Sequence, residues 1–240
     1  MGQCCTNQEK EHEALKTSSL GRVQIHQNSR DNNDELNLSE VENSIDEITH
    51  GPPENVAKKI KALPSELKSK LDRLTKTHPL FEFNHDPEVM KKAIFLGMRQ
   101  FENQSIYIGH WFEKKRNGRG QQIYPDGSVY EGYWVDGKRE GFGRFIDYSG
   151  DVYEGEWKDD TVNGIGKYIQ KGGAYYKGEW VDNKQNGKGS EKWPSGETYE
   201  GDYKDGFKHG KGKFKISDGS YYCGDFFYDK IEGQGRDGSY

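Results

Sequence analysis

The chain has 240 residues, of which 31% are hydrophobic, and a formal net charge of −5. So little apolar material, together with 31 glycines and 15 tyrosines, favours a thin sheet packed by aromatic rings over a globule with a thick aliphatic core. The sequence has no apolar run of about 18 residues and no N-terminal apolar signal region, so it predicts neither a transmembrane helix nor secretion. Three cysteines make no disulfide framework, which predicts a reducing, cytosolic compartment.

The first six residues, Met1-Gly2-Gln3-Cys4-Cys5-Thr6, fit the pattern for N-myristoylation of Gly2, with Cys4 and Cys5 placed for S-palmitoylation. One myristoyl chain binds membranes only reversibly, at about 10⁴ M⁻¹, so stable anchoring needs a second chain. The two cysteines would supply it. The alternative is an accidental pair of cysteines behind a common Met-Gly start. We expect an acylated N-terminus.

Residues 1–50 are polar and rich in Asn, Ser and Glu, with ten acidic and four basic residues. Such a segment cannot bury enough apolar surface to order itself. We therefore expect a disordered, acylated tether.

Residues 51–104 predict a helical region. Its first part, from Pro53 to Lys76, has lysines between apolar residues that recur every three or four positions, as in amphipathic helices: Val56, Ile60, Leu63, Leu67, Leu71 and Leu74. This helix could lie on an anionic leaflet, or it could pack its apolar face on the protein while the lysines face water.

Asp86-Pro87-Glu88 has the features of a helix start: an N-cap, a proline and a carboxylate in the first turn. Apolar residues follow on one side, at Met90, Ile94, Met98 and Phe101. We expect a helix over about 87–102 that caps the repeats that follow it. A free partner-binding helix is the alternative.

From residue 105 to 240 the sequence repeats every 23 residues. Each unit opens with a tyrosine, followed by a glycine two places on and a second ring two places later. The tyrosines are Tyr107, Tyr130, Tyr153, Tyr176, Tyr199 and Tyr222, and the second rings are Trp111, Trp134, Trp157, Trp180, Tyr203 and Phe226. A Gly-x-Gly pair closes each unit. A fixed short period indicates a tandem array, here of six units.

Each unit predicts one β-hairpin. Tyr-x-Gly-x-Trp places both rings and the glycine on one face of a strand, and the glycine leaves room for something to lie over it. Gly-x-Gly leads into a return strand, and turn signals such as Asp126-Gly127-Ser128 join one hairpin to the next. The fold class is therefore mainly β, a single-layer array of about six consecutive antiparallel hairpins. The rings would form its core or a partner-binding groove.

The sixth unit is predicted to be incomplete, because Asp237-Gly238-Ser239 arrives four residues earlier than the period requires. This would remove most of the return strand and leave an exposed edge. Such an edge favours pairing, so we expect a homo-oligomer formed through residues 222–240. The alternative is a shortened product of a longer repeat protein.

The pattern resembles the MORN (membrane occupation and recognition nexus) repeat family. Its signature Y-x-G-x-W…G-x-G…G is matched from about Ser105 onward, with Tyr203 and Phe226 in place of tryptophan. The resemblance implies an elongated sheet of consecutive hairpins, in proteins that scaffold, dimerise or tie membranes to the cytoskeleton.

No catalytic constellation is predicted. The repeats contain only His110 and His209, four repeats apart, so they offer neither a nucleophile–histidine pair nor a His/Cys metal cluster. The Gly-x-Gly pairs lack the G-x-x-x-x-G-K-[ST] string of phosphate loops. We therefore expect no enzyme, no cofactor and no metal.

One column of carboxylates follows the leading tyrosines, at Glu156, Glu179, Asp202 and Asp225. It predicts a solvated acidic stripe, partly matched by Arg144, Lys167 and Lys213, or alternatively an electrostatic docking strip.

Together these features predict a non-enzymatic peripheral-membrane scaffold at the cytoplasmic face of a plasma or ciliary membrane. It would present its repeats to protein partners and link membrane to cytoskeleton. The alternatives are a structural component of a ciliary or microtubule assembly, and a phospholipid-binding module. Phospholipid binding is disfavoured, because the array is near neutral and shows no basic pocket. Nucleic acid is not expected, since no clustered basic face is visible.

Overall fold

A computed structural model describes Ser65, Ser69 and residues 81–83 and 92–238, without the side chains of residues 233 and 234. The predicted tether and the acylation sites Gly2, Cys4 and Cys5 lie outside the described residues. So does the predicted helix over 53–76, except that Ser65 and Ser69 have helical backbone.

The described chain forms a sheet of thirteen strands that follow one another in chain order. This confirms the predicted array of consecutive antiparallel hairpins. The strands are β1 Ile94–Gln100, β2 Ile106–Phe112, β3 Lys115–Ile123, β4 Val129–Val135, β5 Lys138–Ile146, β6 Val152–Lys158, β7 Thr161–Ile169, β8 Tyr175–Val181, β9 Lys184–Lys192, β10 Thr198–Lys204, β11 Phe207–Lys215, β12 Tyr221–Phe227 and β13 Lys230–Gly238.

The strands belong to two compact units whose boundary runs through β6. In the part of the chain that is described, the N-terminal unit contains residues 81–83, 92–148 and 157–160, and the C-terminal unit contains residues 149–156 and 161–238. Each unit is described separately below.

Two kinds of turn connect the strands. Within a repeat, a two-residue turn joins the seven-residue strand to the nine-residue strand, and both turn residues have positive φ, as at Asp182 (48°) and Asn183 (64°). This is the turn geometry whose twist matches an antiparallel hairpin. Between repeats, the chain turns at a glycine, as at Gly127. The main-chain N–H of Tyr124 donates to the Ser128 carbonyl across that turn, 2.9 Å away.

The helix predicted over about 87–102 is wrong where the chain is described, because residues 94–100 form strand β1. Arg99 lies opposite Tyr107 in the β1–β2 pairing, just as Gln122 lies opposite Tyr130 in β3–β4. β1 therefore occupies the place of a return strand from a preceding repeat. A strand satisfies the outer N–H and C=O groups of β2, which a helix cannot do.

The sequence contains a signal for β1 that the helical pattern obscured. Gly97 stands 23 residues before Gly120, and its φ of 68° lies at a register shift in β1, where a right-handed helix could not accommodate it. Met98 packs on a small core of Ile106, Ile123 and Val129 in the N-terminal unit. The apolar residues assigned to a helix face thus serve a sheet.

The expected loss of most of the last return strand is also wrong. β13 has nine residues, as many as the return strands before it, and it pairs with β12 from Phe227–Lys230 to Tyr221–Gly238. Asp237 lies opposite Tyr222 within the ladder rather than in a turn. The early Asp-Gly reads as a turn signal in the sequence, but the partner strand holds it extended.

Candidate interaction surfaces

Each repeat buries its signature rings on one side of the sheet, called here the ring face. The leading tyrosines and the second rings of all six repeats are at most 4% exposed. Within each unit the rings meet edge to face, both inside a repeat and with the next one. The ring centroids of Tyr130 lie 5.1 Å from Trp134 and 5.2 Å from Trp157. Such pairs add about 0.5–1.5 kcal/mol beyond burial, so these rings form repeat core rather than an open groove.

The polar atoms of the rings are satisfied by main-chain carbonyls. The Tyr130 hydroxyl donates to the carbonyl of Tyr133, 3.0 Å away, and the same bond recurs in the other five repeats. Trp134 Nε1 donates to the Gly120 carbonyl at 3.3 Å. Burial raises the pKa of the Tyr130 hydroxyl well above its usual value, against the nearby Arg139 charge that lowers it. These hydroxyls remain neutral donors at physiological pH.

Basic side chains lie on the ring face in both units. In the N-terminal unit, the guanidinium of Arg116 lies 4.2 Å from the Trp134 ring centroid, and that of Arg139 lies 4.4 Å from the Trp157 centroid. In the C-terminal unit, Lys208 Nζ lies 2.9 Å from Glu191 Oε2, and both side chains are at most 3% exposed. Burial raises the pKa of the Glu191 carboxyl, and the Lys208 charge opposes that shift. This buried pair was not predicted from the sequence.

The other side of the sheet, called here the outer face, carries two aromatic residues of the preceding chain in the N-terminal unit. Phe81 stacks on Phe142 with centroids 5.9 Å apart, and Phe83 meets the edge of Tyr133 at 5.4 Å. The guanidinium of Arg144 lies 5.6 Å from the Phe81 centroid. A segment before the repeats therefore crosses the outer face and buries Tyr133, which is only 5% exposed.

In the C-terminal unit the outer face forms an open groove of about 1300 Å³. Its floor is the backbone of the glycine pairs, whose absent side chains would point to the ring face. Five of its lining side chains are basic and one is acidic: Lys177, Lys188, Lys211, Lys213 and Arg236 against Glu200. The sequence showed near neutrality and no basic pocket, because strand pairing alone brings these residues together.

The column of carboxylates has a structural role that the sequence did not reveal. Glu179 Oε1 accepts the main-chain N–H of Lys188 at 2.8 Å, and Asp202 Oδ2 accepts that of Lys211 at 3.0 Å. These acceptors hold the backbone just past the positive-φ glycines Gly187 and Gly210. The column also makes ion pairs, Asp202 with Lys188 and Asp225 with Lys211. The matching bases are therefore in part different from those expected.

Catalytic and metal chemistry find no support in the described residues. They contain no group of three or more His, Cys, Asp or Glu side chains able to hold a metal ion. The two histidines of the repeats are separated, His110 in the N-terminal unit and His209 in the C-terminal unit. No helix within the described part of the chain is long and apolar enough to span a membrane.

The MORN repeat family matches residues 107–129, 130–152, 153–175, 176–198, 199–221 and 222–236. These six consecutive matches cover more than half of the chain and share the period of the hairpins. The protein belongs to the MORN repeat family, whose repeats are non-enzymatic modules for interaction with proteins or membranes.

Several solved structures resemble the chain weakly. The TCP domain of SAS-4 (dCPAP) of Drosophila melanogaster, in complex with a proline-rich motif of Ana2 (dSTIL), is 13% identical over 62% of this chain and 86% of that one, with a TM-score of 0.30. The G-box domain of the microcephaly protein CPAP is 10% identical over 66% and 96%, with a TM-score of 0.31. A streptogramin B lyase is 11% identical over 62% and 55%, with a TM-score of 0.16.

At these TM-scores the similarities carry no argument about partners or activity. No curated protein sequence matches the chain.

Proposed function

We propose that this MORN protein is a non-enzymatic peripheral-membrane adaptor that links a membrane to protein partners of the cytoskeleton. The observation that carries the proposal is the division of labour between the two faces of the repeats. The ring face is consumed by packing, whereas the outer face of the C-terminal unit presents charged side chains over a glycine floor. A face of this kind binds by complementary shape and charge, not by chemistry.

The membrane side of the proposal rests on the N-terminal sequence. Gly2, Cys4 and Cys5 would carry a myristoyl chain and palmitoyl chains, and two chains anchor a protein stably where one does not. The repeats would then act at the cytoplasmic face of a plasma or ciliary membrane. A structural role in a ciliary or microtubule assembly is the rival function.

Cell fractionation of the Gly2→Ala variant tests the adaptor. We expect the variant to move from the membrane to the soluble fraction, because loss of the myristoyl chain also removes the transient contact needed for palmitoylation. Cys223→Ser, which removes the exposed cysteine of the repeats, is the matched control and should remain in the membrane fraction. Retention of Gly2→Ala on membranes in high salt contradicts the lipid anchor. Wild-type protein that stays with the detergent-insoluble cytoskeleton supports the rival.

Phospholipid recognition by the repeats is a second candidate, and the basic groove of the C-terminal unit is the observation that favours it. Lysines near a leaflet contribute about 1 kcal/mol each toward binding anionic lipid. However, the carboxylates of Glu179, Asp202 and Asp225 form a column in the same unit, and a flat anionic leaflet would meet both signs of charge.

A further inference from the structure

One row of side chains in the groove carries an excess of positive charge. Strand pairing places the row in the order Lys177, Ser190, Glu200, Lys213, Cys223 and Arg236. It contains three cations and one carboxylate. Lys188 and Lys211, which also line the groove, are paired with Asp202 and Asp225. The row therefore sets the charge that an occupant must have, and that occupant must be acidic.

The N-terminal unit shows how the outer face accepts a strip of chain, and the repeat register shows why the C-terminal unit needs a different one. Phe142 and Tyr133 lie beneath Phe81 and Phe83. Three periods later, the same positions hold Lys211 and Asp202. Aromatic residues therefore suit the first site and charged residues suit the second.

We propose that the groove of the C-terminal unit binds an acidic segment of this same chain, residues 31–49. This segment contains seven acidic residues and no Lys or Arg, at Asp31, Asp34, Glu35, Glu40, Glu42, Asp46 and Glu47. The inference goes beyond the adaptor function and is independent of the lipid anchor.

The dimensions agree with this occupant. Six strands at about 4.8 Å spacing put Lys177 and Arg236 roughly 24 Å apart, a span that about seven extended residues cover. Glu40 to Glu47 is such a stretch and contains four of the seven acids. A single extended chain can follow the cationic row without meeting the neighbouring carboxylate column, which a flat membrane cannot.

The tether makes weak affinity sufficient. Residues 48–80 connect the acidic segment to Phe81, and a flexible chain of that length has an r.m.s. reach of roughly 30 Å and a maximum on the order of 100 Å. Such linkers give effective concentrations in the millimolar range. A segment with a Kd of about 0.1 mM would then occupy the groove about 90% of the time. Acidic partners would have to displace it.

A labelled synthetic peptide of residues 31–49 tests the proposal by fluorescence anisotropy, with purified, non-acylated full-length chains. In one chain Glu40, Glu42, Asp46 and Glu47 are changed to Gln or Asn, which empties the groove of its own segment. We expect this neutralised chain to bind the peptide about tenfold more tightly than the wild type, whose groove is occupied. Both affinities should fall with added salt, because the contacts are ionic.

Charge reversal in the groove supplies the second arm. Adding Lys177→Glu and Lys213→Glu to the neutralised chain should abolish peptide binding, whereas Lys171→Glu with Lys204→Glu, an equal change at exposed lysines outside the groove lining, should preserve it. Equal melting temperatures establish that the four substitutions leave the fold intact. Equal peptide binding by the wild-type and neutralised chains, or no binding by either, overturns the proposal. Binding of phosphatidylserine vesicles that requires Lys177 and Lys213, without peptide binding, makes the groove a lipid site instead.

Discussion

The hydroxyl and ring of Tyr153 cover Gly166 on the adjacent strand so closely that a Cβ on this glycine would overlap them. The same overlap recurs at the second glycine of each Gly-x-Gly pair from Gly120 to Gly235. The glycine of one strand and the tyrosine of its neighbour are thus a single packing element. The repeat period preserves both because neither fits without the other.

Substitution of the signature glycine should therefore be far more damaging than a change on the opposite face of the same strand. A Cβ on Gly155 would press on Tyr153 and on the backbone of Gly166, so Gly155→Val should lower the free energy of unfolding by about 3 kcal/mol or more. Glu154→Val, at the exposed neighbouring position, should change it by about 0.5 kcal/mol or less. Urea denaturation measures both, and equal midpoints would refute the face assignment.

The buried tyrosines predict an alkaline limit to stability. Burial raises the pKa of Tyr153 and Tyr176 above the usual value near 10, so the folded state keeps protons that the unfolded chain releases. Their contribution is complete below about pH 10 and is lost as the pH rises beyond it. Each such tyrosine costs about 1.4 kcal/mol per pH unit in that range.

Urea midpoints between pH 8 and 11.5 measure this loss, and absorbance at 295 nm reports phenolate formation. Tyr153→Phe is the matched variant, because it should reduce the slope by one proton. At neutral pH it should cost about 0.5–1.5 kcal/mol through its lost hydrogen bond to the Glu156 carbonyl. Ionisation of all tyrosines near pH 10 in the folded protein would contradict the prediction.

Removing the cation of the buried pair should strand the carboxylate of Glu191. Lys208→Val should destabilise the protein by about 3–5 kcal/mol at pH 7.5, because a buried charge loses its partner. Since burial already raises the pKa of Glu191, the deficit should shrink at pH 5.5, where protonation removes the charge more easily.

The repeat two periods earlier supplies the rescue, because it has Val162 and Tyr168 at the positions of Lys208 and Glu191. Lys208→Val with Glu191→Tyr should recover most of the lost stability in chemical denaturation. Lys211→Met, at an exposed lysine, should cost about 0.5 kcal/mol or less. A deficit in Lys208→Val that does not change with pH would show that packing, not charge, dominates the site.

Self-association through the last strand stays a prediction, now with a defined register. Antiparallel pairing of two β13 strands about Gln234 would place Glu232 of each copy opposite Arg236 of the other. Arg236→Glu should therefore abolish association, and Glu232→Arg with Arg236→Glu should restore it, since opposite charges across strands attract. Sedimentation velocity from low to high micromolar concentration measures this. A monomer at all concentrations, or a double variant no better than Arg236→Glu, rejects edge pairing.

The sequence by itself determined the repeat architecture. A strict period of 23 residues, the alternation Tyr-x-Gly-x-Trp and the turn glycines are local signals, and each predicts the same hairpin. Agreement among local signals specifies a fold, so the family, the antiparallel sheet and the shared face of rings and glycines followed directly.

Only the tertiary structure decided what fills the edges and faces of that sheet. Ile94 to Gln100 has apolar spacing compatible with a helix, yet it forms β1, because the unpaired edge of β2 offers backbone hydrogen bonds that only another strand can complete. The groove likewise arises from residues such as Lys177 and Arg236, which lie 59 positions apart in the chain. Charge counted along the sequence averages to near zero, whereas strand pairing separates it into a cationic row and an anionic column.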